Sequence, residues 1–109
     1  MLMTVLDGNG NQQTIIVNGQ GPAADFSGTI TVAAISQVAA AANPNRSGIL
    51  FQNTSEHTMT INDDGLATDA NAFQVGPGES WPPAGYPPAV GAINVAGTTV
   101  GDPFVYREW

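Results

Sequence analysis

Residues 48–62 read Gly48-Ile49-Leu50-Phe51-Gln52-Asn53-Thr54-Ser55-Glu56-His57-Thr58-Met59-Thr60-Ile61-Asn62, and this stretch decides the fold. Two short runs of apolar and β-branched residues flank a polar turn, the pattern of consecutive strands. Met59 and Ile61 lie two apart and share one face, leaving Thr58, Thr60 and Asn62 on the opposite, wet face. In Gly48–Asn53, Ile49 and Phe51 share a face while Leu50 points the other way, as in a strand covered on both sides.

Working outward, the same grammar recurs at Thr4–Leu6, Thr14–Val17, Thr29–Ile35, Val38–Ala42, Ala72–Val75, Gly91–Ala96 and Phe104–Trp109. The pairs Ile30/Val32, Phe73/Val75 and Ile93/Val95 repeat the two-residue period. Thirteen Gly and eight Pro interrupt the chain too often for a long amphipathic helix. The best helical stretch, Ala33–Ala42, follows the alternating Thr29-Ile30-Thr31-Val32 and is stopped by Pro44, so it reads as strand with a helical turn as the rival. Many short strands with turns every ~8–12 residues predict an all-β fold, an antiparallel β-sandwich or jelly-roll-like domain.

The first 28 residues stand apart. Asp7-Gly8-Asn9-Gly10-Asn11 between Thr4–Leu6 and Thr14–Val17 is a strong hairpin signal, and Asn18–Ala24 reads as a flexible connector. The expected division is an N-terminal hairpin arm with its linker over 1–28 and a β-sandwich over 29–109. An isolated hairpin is at best marginally stable, so the arm must pack on its own domain or on another subunit.

Composition narrows the function. With 109 residues, one modest core is feasible. Lysine is absent, and two arginines face nine carboxylates for a net charge of -7. Such a chain lacks the clustered cations that track phosphates or anionic lipid, so neither nucleic acid nor a membrane is an expected partner. The absence of cysteine removes thiol chemistry, disulfides and Cys-based zinc sites, and mildly favours a cytosolic origin. Met1-Leu2-Met3-Thr4 has no basic segment or long apolar stretch, so no signal peptide is expected. No apolar run reaches the ~20 residues of a membrane span.

Catalytic constellations are hard to assemble. His57 is the lone histidine and reads as a partly buried residue at the start of a strand, in phase with Met59 and Ile61. No Gly-x-Ser-x-Gly elbow is present. Asp63, Asp64 and Asp69 form the one acidic cluster; a plain turn and a weak calcium site are its two readings, and the EF-hand spacing is not met. No cofactor and no enzymatic activity are expected. Trp81-Pro82-Pro83-Ala84-Gly85-Tyr86-Pro87-Pro88 is a stiff aromatic loop that either offers an interface or folds over its own sandwich. Arg46, a rare cation, implies a carboxylate or carbonyl cluster, in its own chain or a neighbour's.

Ala41-Ala42-Asn43-Pro44-Asn45-Arg46 followed by Gln52-Asn53-Thr54-Ser55 resembles the "A-A-N-P-x-R" turn and "Q-N-x-S" strand end of small β-sandwich virion proteins of tailed bacteriophages. Ile61-Asn62-Asp63-Asp64-Gly65, Val75-Gly76-Pro77-Gly78-Glu79-Ser80 and Gly91-Ala92-Ile93-Asn94-Val95-Ala96-Gly97 are similar to that family's later strand and turn motifs. Gly76 departs from the pattern, and the aromatic loop is longer than it requires. The likeness covers about residues 38–109. It implies a non-enzymatic structural protein made in the host cytoplasm and carried in the virion. The leading form is a capsid decoration or cement protein bound to the major capsid protein or neighbouring virion proteins, with a homotrimer preferred. A tail or fibre component and a carbohydrate- or receptor-binding module are the alternatives. The expected contact residues are Leu6, Ile15 and Ile16 of the hairpin, with Arg46, Trp81, Tyr86 and Trp109.

Overall fold

The computed structural model describes residues 23–109, together with the backbone of residues 2–6 and 12–16. Strands β1 (Leu2–Leu6) and β2 (Gln12–Ile16) pair antiparallel, with Thr4 opposite Thr14. The expected turn at 7–11, the end of the second strand at Val17 and the connector over 18–22 lie outside the described residues, as do the side chains of Leu6, Ile15 and Ile16.

The remaining strands are β3 (Ala24–Asp25), β4 (Gly28–Thr29), β5 (Gln37–Ala40), β6 (Ile49–Asn53), β7 (Met59–Asn62), β8 (Phe73–Val75), β9 (Ser80–Trp81), β10 (Ile93–Gly97) and β11 (Pro103–Glu108). They form two antiparallel sheets, one in the order β5-β10-β7-β8 and the other β3-β11-β6-β9, with β4 also on β11. No helix occurs among the described residues. The fold is an all-β sandwich.

Period two builds the core. In β11, Phe104, Tyr106 and Glu108 point inward while Pro103 and Arg107 face out. Ile61 lies opposite Val95 in one sheet, and Tyr106 opposite Phe51 in the other. Met59, Ile61, Val75, Ile93 and Val95 thus meet Phe51, Trp81, Phe104 and Tyr106 between the sheets, with Ile30 added from a loop. Each such side chain contributes about 1.5–3 kcal/mol on burial.

Five expectations change. First, Asp25 pairs with Arg107 and Gly28 with Phe104, so the sandwich begins at residue 24 rather than 29. Second, the expected strand Thr29–Ile35 stops at Thr29. The Gln37 side chain accepts from Thr31 N and Oγ1 and donates to Thr29 O, replacing a neighbouring strand with an amide clamp. Ile30 is buried, whereas Val32 and Ile35 stay exposed on the ensuing turn.

Third, Leu50 is 45% exposed, so β6 is covered on one face only. Fourth, Asn62 is buried rather than wet, because its amide closes the loop that follows. His57 likewise lies exposed in the bend before β7 and opens no strand.

Candidate functional site

Arg46 leads to the densest polar cluster. Pro44 and Asn45 form a tight turn in which Asn45 N donates to Asn43 Oδ1 and Arg46 N to Asn43 O, at 3.0 and 3.1 Å. The turn aims the guanidinium inward, where its side chain is fully buried against Glu108. Arg46 Nε and Nη2 lie 3.2 and 3.1 Å from Glu108 Oε1. Nη1 donates to the carbonyls of Ala89 and Gly91, and Nη2 to that of Ala41, each at 2.8 Å. Asn43 Nδ2 donates to Glu108 Oε2, and Tyr106 OH donates to Oε1.

Burial alone would push the Glu108 carboxyl up; hydrogen bonds from Asn43, Tyr106 and Arg46, with the Arg46 charge, outweigh it and hold the group below the usual carboxylate range. Burial, and then the bond to Glu108, push the Tyr106 phenol far up. One buried cation therefore fastens the 41–46 turn, the 89–91 segment and β11. Arg46 is unavailable as a surface contact, and its cluster lies in its own chain.

The neighbouring motifs do similar work. Asn53 is fully buried; its Nδ2 donates to His57 O and Val75 O at 2.7 and 2.8 Å, and its Oδ1 accepts from Ser55 N and Oγ. Asn62 Nδ2 donates to Leu66 O and Asn71 Oδ1 at 2.9 Å, while its Oδ1 accepts from Asp64 N. At Gly76–Glu79, Glu79 N donates to Gly76 O, and Gly78 adopts a φ of 76°, which favours glycine.

The aromatic loop folds back on its own sandwich. Trp81 is only 3% exposed and belongs to the core. Phe73, Trp81 and Tyr86 form a triad with centroid separations of 5.8, 5.7 and 5.3 Å. Tyr86 OH donates to Asp63 Oδ2 at 2.7 Å, and that bond, with some burial and the charges of Asp63 and Asp64, raises the phenol's pKa. Trp109 is 39% exposed and lies over Gly48, where any side chain would collide with its indole. Trp81, Tyr86, Trp109, Pro82, Pro87 and Pro88 line a cleft of about 150 Å³. The structure thus brings three of the expected contact aromatics together, but buries Trp81 and half-buries Tyr86.

Little chemistry assembles elsewhere. His57 Nδ1 lies 2.9 Å from Asp102 Oδ2, with the imidazole half exposed. Ser55 Oγ bonds to Asn53 Oδ1, His57 O and His57 N rather than the imidazole, so no activated hydroxyl accompanies the pair. Asp69 accepts from Leu66 N, and Asp63 from Tyr86. Among the described residues no three His, Cys, Asp or Glu groups converge as metal ligands. Arg107 meets Asp25 at 3.4 Å on the surface, so both arginines pair within the chain.

Sequence reasoning missed Glu108, Tyr106, Asn43 and Asn53 as partners in these networks, although a lone Arg two residues after an Asn-Pro turn was a usable signal. It also missed an exposed apolar segment, with Val32, Ile35 and Val38 at 54, 56 and 62% exposure. No family model, curated protein or solved structure matches the chain significantly.

Proposed function

We propose that the chain is a non-enzymatic structural protein of a tailed-bacteriophage virion, acting as a capsid decoration or cement protein that strengthens the shell through protein–protein contacts. The supporting observation is where its polar groups lie. The residues of the quoted motifs, Asn43, Arg46, Asn53 and Asn62, all bond inward and build turns. The exposed apolar side chains lie on the opposite footing, free for a partner. A domain built this way is a rigid shape with sticky edges, which suits scaffolding.

The physical mechanism is linkage. A protein that binds only the closed lattice stabilises it by RT ln(1 + [L]/Kd), about 2.7 kcal/mol per site at a hundredfold excess over Kd. Repeated over many sites, a modest interface becomes a large collective effect. Particles with and without the protein, heated and osmotically shocked in parallel, test this reading. Complete particles are expected to open at the higher temperature. A receptor-binding module is the second reading, favoured by the cleft among Trp81, Tyr86 and Trp109. Equal opening temperatures with lost attachment to cells would put it in place of the first.

A further inference from the structure

Strand β5 ends its sheet, and among the described residues no strand pairs on its outer side. The other three edges are poorer templates. β8 spans three residues beside the acidic 63–69 loop, β9 spans two and runs into Pro82, and β3, which carries Asp25, and β4 span two each. β5 spans four, in a segment from Phe26 to Asn45 without a single charged side chain. Val38 on the strand, and Val32 and Ile35 in the segment that leads into it, are all more than half exposed. The Gln37 clamp closes this turn against Thr29 and Thr31, and Ala67 N donates to Ser36 Oγ, bringing the loop that bears exposed Leu66 alongside. Natural edges are guarded by charge, proline or a bulge. This one has neither charge nor proline, and its guard is a register shift that leaves Ala39 unpaired.

The chain carries a segment with the matching need. β1 and β2 pair with each other and, among the described residues, with no strand of the sandwich. Their sequences, Leu2-Met3-Thr4-Val5-Leu6 and Gln12-Gln13-Thr14-Ile15-Ile16, are uncharged and mostly apolar. Two strands alone bury too little to be stable in water. Residues 17–23 span at most ~25 Å fully extended, enough to reach an adjoining molecule.

We infer that the β1–β2 hairpin of one copy docks on the β5 edge of a second copy, covering Val32, Ile35 and Val38. Charge selects this contact. Copies that each carry -7 repel, and approach costs least where both surfaces are neutral. The Ala39 shift shortens the free edge, so apolar contact carries the attachment and edge hydrogen bonds give it register. Donation from copy to copy is a head-to-tail interface, which forms a ring where the rotation between copies closes and an open chain where it does not. The inference concerns self-association in solution and stands apart from any role on a shell.

The absence of cysteine makes the test clean. One full-length protein carries Val38→Cys. Four others each carry a single cysteine at Thr4, Val5, Gln13 or Thr14, the two central cross-strand pairs of the hairpin. The two kinds are mixed under mild oxidation. A disulfide joining a Val38→Cys chain to a hairpin-cysteine chain is expected in at least one mixture, together with a wild-type oligomer by native mass spectrometry. Double variants that carry Val38→Cys and one hairpin cysteine in the same chain are oxidised in parallel, and a bridge that forms in these but in no mixture would overturn the inference, since the arm then closes on its own edge. Val38–Val38 dimers alone, or an exclusively monomeric wild type at micromolar concentration, would overturn it too.

Discussion

The Arg46–Glu108 cluster and the β5 edge invert the usual order of a protein. At the first, an ion pair is buried, with side-chain exposures of 0 and 6%. At the second, three aliphatic side chains are more than half exposed. A buried charge is tolerated only when every hydrogen-bonding group around it is satisfied, and Arg46 meets that condition through three carbonyls and a carboxylate. Exposed aliphatic side chains at an uncharged strand edge are open to a partner. The contrast separates two duties: polar residues inside hold the fold, and apolar residues outside are left for the proposed contacts.

Breaking the buried side has the largest effect. Arg46→Met is expected to cost about 3–5 kcal/mol, because Glu108 is left uncompensated. That is a large share of the ~5–15 kcal/mol available to a domain. Adding Glu108→Leu restores only part of the loss in chemical denaturation, since the carbonyls of Ala41, Ala89 and Gly91 remain without their donor. Full recovery would show that the ion pair alone, and not the carbonyl clamp, is what Arg46 provides.

Asn53→Ala comes next. It strips the buried carbonyl of Val75 of this donor, at about 1–3 kcal/mol for a group left unpaired, while His57 O keeps the Ser55 hydroxyl. Urea melts that move by less than ~0.5 kcal/mol would mean that water replaces the amide.

Acid sharpens the comparison further. The Glu108 carboxyl titrates below its ordinary value of 4.5 in the folded state, so the unfolded chain binds its proton first. Its stabilising contribution is complete above pH 4.5 and is lost as pH falls through the lower folded-state value. In Glu108→Gln that acid-dependent portion is expected to vanish, leaving a flatter stability profile below pH 4.5. An unchanged slope would place the acid sensitivity in other carboxylates.

The sandwich itself was legible because strands announce themselves locally. Met59/Ile61 and Ile93/Val95 alternate, and each pair is fully buried. The errors came where a side chain took over the work of backbone. Thr29-Ile30-Thr31-Val32 alternates like a strand, yet the Gln37 amide satisfies the Thr29 and Thr31 groups and the chain turns away. Asn62 looked like a wet-face residue because polarity suggests exposure, whereas its amide bridges a loop nine residues long in sequence. The partners of Arg46 were harder still. Glu108 lies 62 positions away, and no local pattern carries that information. Trp81 was visible as aromatic on stiff backbone, but only the crossing of β9 into the second sheet turns it inward.

The central claim is that fold and association rest on different residues, and the double substitution Ile35→Glu/Val38→Glu tests it most directly. Surface replacements away from special features change stability by within about 0.5 kcal/mol. The variant is therefore expected to melt, in dilute solution, within about 4 °C of wild type. Sedimentation velocity at tens of micromolar, on the same samples, is expected to show assembled wild type and a monomeric variant. A variant that assembles as wild type does, or one whose melting collapses along with its assembly, would contradict the account.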